Sequence, residues 1–385
     1  MSIFVTSDIR EGKIERIYAN TRYPSVQEGL TFFDAAEKPK ISEKAPVENR
    51  MLYYVVSFKP SHVFISRDVL GSKPIYFSED LTISSFKWYF EEEPMKVLPG
   101  EVLKISYDGE VIYRKTYSFF DVFEKKAVDD PAEEIIKILE KVKIKDACIS
   151  FSGGVDSGLL AGIYDAPLIS VTASEKEEEW LREAANMLGK EIEIFRFSAK
   201  DVRDNLRKIV GSIETTNTLQ VSIAVPVYFV TKFAKELGYN KVVFGQGADE
   251  LFGGYKRYEH VVGKALEDAL IEDIRRIGEE NLERDSKIAY KNEVMPILPY
   301  LSFDMIELAL AIPASEKVKR VEGKVIRKYV LREAAKKVIP EEIAIRDKKA
   351  IQYSTGTYKI LERLAREEKL PLDEYLKKIR YGSSS

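Results

Sequence analysis

Two short stretches carry residue types that could handle a phosphate chain and its cation. The first, SFSGGVDSGLL at 150–160, sets Ser152, Gly153, Gly154, Asp156 and Ser157 between a β-prone apolar run and the apolar start of a helix. Small residues let the backbone approach a ligand, and the free amides and dipole of a helix N-terminus favour an anion. The common phosphate loop needs a Lys followed by Ser or Thr, and this stretch has no such pair. Asp156 stands in that region instead, so the phosphates are expected to arrive with Mg²⁺, a hard cation that an aspartate can meet. The second stretch, GQGADELFGGYKRY at 245–258, places Asp249 and Glu250 among Gly245, Gly247, Gly253 and Gly254, directly after a predicted strand, KVVF. A lone glycine turn with a capping Ser or Asp is commonplace. What gives these two weight is where they fall in the chain.

The elements that must position them alternate. Strand ACISF is followed by helix GLLAGIY, strand APLISVTAS, helix EEEWLREAANMLG, strand EIEIFRF, helices DVRDNLRKIVGSI and AVPVYFVTKFAKELG, and strand KVVFG. Such alternation predicts an α/β fold with a parallel sheet, where ligands bind beyond the carboxyl ends of the strands. Both stretches then sit at strand ends facing one crevice. Upstream, residues 1–118 read as short strands rich in Val, Ile, Tyr and Phe; YDGE at 107–110 is expected to form a two-residue hairpin turn on its Asp-Gly pair. Residues 119–130 read as a linker, 131–385 as the second domain, and the part beyond about 255 as nearly all helical. The acidic run EKEEEW at 175–180 suits a solvated first helical turn.

Composition narrows the partners. With 385 residues, 45% of them hydrophobic, the chain can bury one large core or two moderate ones. Its 60 basic and 63 acidic residues are interspersed and leave a net charge of -3, so no nucleic-acid face is expected. The single cysteine, Cys148, falls in a predicted buried strand and reads as a small core hydrophobe; it rules out intrachain disulfides and cysteine-built metal sites. The N-terminal MSIFVTSDIREGKIERI lacks a signal-peptide core, and the most apolar window, VSIAVPVYFV at 221–230, is too short to span a bilayer. A cytoplasmic protein without a membrane partner is expected. Lys and Glu abound while Gln occurs only at 27, 220, 246 and 352, a bias of hyperthermophile proteins.

SGGVDS resembles the PP-loop of the ATP pyrophosphatase superfamily, and GQGADELFGGYKRY resembles the signature of asparagine synthetases and the related β-lactam synthetases. The resemblance implies a Rossmann-like PP-loop sheet with a helical C-terminal region, preceded by a mostly β, Ntn-hydrolase-like glutaminase domain. It further implies ATP as substrate, Mg²⁺ on Asp156 and Asp249, and adenine held by backbone at Phe151, Thr172 and Gly245. RKYVLREAAKKVIPEEIAIRDKKAIQYSTG at 327–356 is similar to the family's C-terminal K-x-x-L-R block, which puts Lys328 where the family neutralises charge growing on the α-phosphate. With Lys328, Gln246 and Glu250 are the catalytic candidates, and Ser152, Gly153, Gly154 and Ser157 complete the loop.

The chain also departs from that pattern. Glutamine-dependent members carry a cysteine after the initiator Met, where thiol and α-amine act together; here it is Ser2, the only histidines are His62 and His260, and the glutamine-holding motifs are absent from the first fifty residues. A shortened glutaminase-like domain without activity is the expectation, with ammonia supplied freely or by a separate glutaminase, and with a homo-oligomer as a further partner. Gln246 stands where asparagine synthetases have a glutamate, and an amide cannot take a proton. MPILPYLS, residues 295–302, loses both charges and the final acid of the family's E-x-R-x-P-F-L-D. The resemblance therefore implies adenylation of a small carboxylate, aspartate first, with ammonia as the amine; amide formation or ring closure on a different carboxylate and a non-catalytic ATP-binding role are the alternatives.

Overall fold

The computed structural model describes residues 2–10, 13–125, 128–347 and 350–382. Residues 126–127 of the expected linker, and Lys348 and Lys349 of the basic block, lie outside the described residues. The chain divides into two compact units: Met1–Lys125 with Ile271–Met295, and Lys126–Leu270 with Pro296–Ser385. A single boundary near 119–130 does not anticipate the second part of the first unit. The periodicity of 271–295 is that of any amphipathic helix and carries no address.

Unit one is built on two antiparallel sheets. One has five strands in the order Lys13–Thr21, Ile3–Arg10, Ile83–Ser84, Tyr76–Phe77, Met95–Lys96; the other has six, Val111–Thr116, Glu101–Ser106, His62–Arg67, Tyr54–Phe58, Thr31–Asp34, Val26–Glu28. Ile3, Val5, Phe77 and Ile83 of the first sheet and Phe32, Val56, Ile65 and Leu103 of the second share one buried core, so the apolar face of each strand lies between the sheets. The hairpin at 107–110 is not the two-residue turn expected: only Gly109 has a positive φ, +83°, and the register slips between Lys104 and Ile105. One left-handed glycine with a bulge is the longer hairpin solution, and it spares Asp108 a positive φ. The helical segment 271–295 docks through polar groups: Arg67 pairs with Glu283 at 2.8 Å, and the Tyr290 hydroxyl donates to Asp34 at 2.6 Å.

Unit two carries the alternating elements. Its sheet runs in the order Ile192–Arg196, Leu168–Thr172, Cys148–Ser150, Lys241–Val243, Met295–Ile297, and the first four strands are parallel. Successive strands step away from Cys148–Ser150 on one side and then on the other. The reversal leaves a topological switch point between Cys148–Ser150 and Lys241–Val243, and the loops after these two strands are the two stretches singled out in the sequence. Helix starts are set locally: Asp130 caps Pro131–Lys141, Ser174 caps Glu175–Met187, and Ser198 with Asp201 forms a capping box on Ala199–Ile213. The helix Thr218–Glu236 starts six residues before the predicted one and keeps Pro226 inside. No helix among the described residues is long and apolar enough to cross a membrane.

The region beyond 255 is not all helical. Val318–Val321 and Lys324–Arg327 form a hairpin whose turn, Glu322-Gly323, has φ of +49° and +78°. Two consecutive positive φ values define the tight primed turn. The hairpin delivers Lys328 to the start of helix Tyr329–Lys336 in a left-handed conformation, φ +54°.

Candidate active site

At the switch point, Cys148–Ser150 leads through Phe151–Gly154 into helix Val155–Ile163, placing Asp156 and Ser157 in its first turn. The loop is closed from within: the Ser152 amide donates to Ser157 Oγ at 2.9 Å, and the two serine hydroxyls stand 3.0 Å apart. Across the crevice, Lys241–Val243 leads into Gly245, Gln246 and the five-residue helix Ala248–Phe252, bounded by left-handed Gly247 and Gly253. Asp249 belongs to that short helix.

Lys328 joins the two loops. Its Nζ lies 2.6 Å from Asp156 Oδ1 and 2.7 Å from Asp249 Oδ1, and its side chain is only 2% exposed. An ammonium so placed is held by two charge-assisted bonds where water is largely excluded. The approach leaves no room for a side chain at Gly254: a Cβ there would stand 1.8 Å from Asp249 Oδ1 and 2.2 Å from Lys328 Cε. Glycine at 254 is therefore a requirement of the ion pair. Neighbouring donors brace the same point. The Tyr300 hydroxyl donates to the Asp156 carbonyl at 2.9 Å, and burial, reinforced by the Asp156 charge, holds its pKa well above the ordinary value, so it stays a donor. Arg327 Nη1 donates to the Gly254 carbonyl at 2.6 Å. Arg332 donates to the carbonyls of Arg327, Ala344 and Arg346.

The other sequence candidates fall around this centre. Phe151 is buried, so only its backbone could face a ligand; Thr172 ends the neighbouring strand and its Oγ1 accepts from the Ser174 amide at 3.0 Å. Gly245 lies against the Asp156 side chain. Glu250 is buried and accepts the Tyr255 hydroxyl at 2.5 Å. Gln246 is half-buried beside the crevice. Within the 295–302 block, Tyr300 and Leu301 form the floor, Leu301 packing where a Cβ on Gly247 would be. Sequence reasoning missed Trp180 and Arg346, which reach the loop from outside, and Glu177, which holds Arg346; EKEEEW is thus not simply solvated, since Glu177 Oε1 pairs with Arg346 at 3.0 Å. Cys148 is fully buried, and burial pushes its thiol up to about 12.

The donor set suits Mg²⁺. Two hard carboxylates converge on one point already filled by a cationic group, and no cluster of three or more Asp, Glu, His or Cys among the described residues could hold a metal. Mg²⁺ beside phosphates is commonly held by one or two carboxylates, the remaining positions going to water and phosphate.

The family model for asparagine synthase matches residues 145–268 and 261–379, more than half of the chain and the whole of this crevice. Among curated relatives, a putative glutamine-hydrolyzing asparagine synthetase 1 of Methanocaldococcus jannaschii is 26% identical over 76% of this chain and 60% of its own length. Asparagine synthetase B of Escherichia coli K12 is 25% identical over 76% of this chain and 58% of its own, and the root asparagine synthetase of Pisum sativum 27% identical over 54% and 39%. The chain thus spans 60% or less of the length of these relatives. With the two loops at the switch point, the Lys328 bridge between them and a family match that covers all three, the chain belongs to the asparagine synthase family.

Proposed function

We propose that the chain is an ATP-dependent, AMP-forming carbon–nitrogen ligase that adenylates a small carboxylate, aspartate first, and passes ammonia to it without glutaminase activity of its own. The observation that carries this reading is the convergence of Lys328 on Asp156 and Asp249 at the switch point. A carboxylate oxygen attacks the α-phosphorus of ATP and the bond to the β-phosphate oxygen breaks, releasing pyrophosphate. Ammonia then attacks the acyl carbon, AMP leaves with the bonding electrons, and the nitrogen gives up a proton to become the amide.

Asp156 and Asp249 would hold the Mg²⁺ that travels with the nucleotide, and when bound it neutralises charge on the departing pyrophosphate. The amides of Gly153 and Gly154 face the phosphate chain, and backbone at Phe151, Thr172 and Gly245 receives the base. Lys328, exchanged from its two carboxylates to the α-phosphate, supplies preorganised positive charge where negative charge grows in the transition state. Ser2 is fully buried and its Oγ meets Ser25 Oγ, a hydroxyl partnership that does not generate a nucleophile at neutral pH. That supports a nitrogen source outside this chain, whether free ammonia, a separate glutaminase or another subunit of an oligomer.

A second reading changes the acid. Gln246 offers no base, Glu250 is engaged by Tyr255, and the 295–302 block contributes Tyr300 and Leu301 rather than charges. Such an acceptor pocket suits a less polar carboxylate, or ring closure within one substrate. AMP and pyrophosphate formation with Mg²⁺-ATP, measured across a panel of carboxylates with ammonia and glutamine tested separately, tests both readings. Asparagine from ammonia alone is expected; AMP with a different acid selects the second reading, and no AMP with any acid leaves a non-catalytic nucleotide binder.

A further inference from the structure

Two side chains that belong to neither loop stretch grip the loop 152–154 from outside, and a third anchors one of them. Trp180, on helix Glu175–Met187, donates its Nε1–H to the Gly153 carbonyl at 3.0 Å. Arg346, just after helix Glu341–Ile345, donates Nη1–H to the carbonyls of Ser152 and Gly153, each at 3.3 Å. Its Nη2 donates to both oxygens of Glu177 at 3.0 and 3.1 Å, and its guanidinium lies over the Trp180 ring with Cζ 4.5 Å from the centroid. The fit is mutual: Gly153 has φ +65°, and a Cβ on it would stand 2.5 Å from Trp180 Nε1.

This grip has a directional consequence. In a trans peptide the carbonyl and the following N–H point in opposite directions. Tying down the carbonyls of Ser152 and Gly153 therefore turns the N–H groups of Gly153 and Gly154 away from the clamp, and neither donates to a protein acceptor among the described residues. Two adjacent glycines are otherwise the least restrained backbone a chain can offer, and ordering them would fall on the binding step. Arg346 itself has Nη1 and Nη2 engaged by carbonyls and carboxylate and one face covered by indole, which disfavours it as a direct phosphate ligand.

Resting on the function proposed above, we infer that Arg346, with Trp180 and Glu177, is a positioning residue that presets the loop amides for the phosphate chain of ATP. The test compares wild type with Arg346→Ala, Arg346→Lys and Trp180→Phe by calorimetric titration with Mg²⁺-ATP and with Mg²⁺-pyrophosphate, alongside KM for the carboxylate and thermal melting. Arg346→Ala should weaken both phosphate ligands by about tenfold or more while the carboxylate KM moves less than about threefold. Arg346→Lys should resemble it, because a point charge cannot serve two carbonyls, a carboxylate and an aromatic face at once. Trp180→Phe keeps the ring, loses the N–H, and should weaken phosphate binding by about three- to tenfold, a result that stands even if Arg346→Ala does not fold. Variants that melt lower yet bind both ligands within about twofold of wild type overturn the clamp alone. A wild type that binds neither ligand overturns the proposed function and the clamp with it.

Discussion

Lys328 and Asp156 lie 172 positions apart in the chain and meet at 2.6 Å, in a place almost closed to solvent. The same ammonium reaches Asp249 at 2.7 Å, so one cation ties together the acidic side chains of two loops that follow neighbouring strands. Replacing it with an apolar side chain leaves two carboxylates facing each other. Lys328→Met is expected to lower pyrophosphate release by roughly 10²-fold or more. Because the ammonium occupies the point where the carboxylates converge, the same variant should bind a divalent cation without nucleotide about tenfold more tightly than wild type. Titration with Mn²⁺ followed by its spin-resonance signal reads this directly, and equal affinities would remove Lys328 from competition with the metal.

Gly254→Ala tests the same bridge without removing a charge. The new methyl must displace either Asp249 Oδ1 or Lys328 Cε, and both are ends of side chains rather than backbone. The fold should therefore survive with a loss of about 1–3 kcal/mol while activity falls by about 100-fold. A denaturant melt and a pyrophosphate assay on one preparation separate the two effects.

Unit one depends on a buried pair of its own. Arg67 is fully buried and donates to Glu283, while Lys96 approaches the same carboxylate at 2.7 Å. Burial pushes the Glu283 carboxyl up, but the positive charges of Arg67 and Lys96 prevail and hold it below its ordinary value of 4.5. A folded pKa lowered in this way contributes stability that is fully present above 4.5 and fades as pH falls through the lower folded value. Glu283→Gln should cost about 3 kcal/mol near neutral pH, with a smaller penalty at acid pH, below its lowered folded value, where the wild-type carboxylate is itself protonated. Urea unfolding at both pH values checks the magnitude and the sign.

Cys148, buried in the central strand with its thiol pushed up to about 12, should be inert in the folded protein. A chromogenic disulfide reagent is expected to titrate no thiol in native buffer and one per chain in denaturant. Rapid labelling of the native chain would show that the central strand opens.

The two loops were legible because each is a local pattern of glycine and carboxylate between hydrophobic runs, and the alternation that orders the sheet is a matter of period and length. Lys328 was different. Nothing in RKYVLREA distinguishes it from a solvated helix lysine, and only its resemblance to a family block singled it out. Arg346, Trp180 and Glu177 stayed hidden because their relation is a contact across 166 to 169 positions, read from neither periodicity nor composition. The Glu322-Gly323 hairpin could have been read: an acidic residue and a glycine between two β-branched runs is a turn signal, overlooked within a stretch dominated by helical spacing.

The return of residues 271–295 to the first unit governs the order in which the protein can be finished. When Lys125 leaves the ribosome, the two sheets are complete in sequence, yet Arg67 and Asp34 still await Glu283 and the Tyr290 hydroxyl. At ordinary rates of synthesis that wait lasts on the order of ten seconds, while the parallel sheet of the second unit is being made. A gene cut after residue 125 would leave the same two charges without those partners. Neither unit can be excised as one continuous piece, and the boundary between them is crossed by the chain three times.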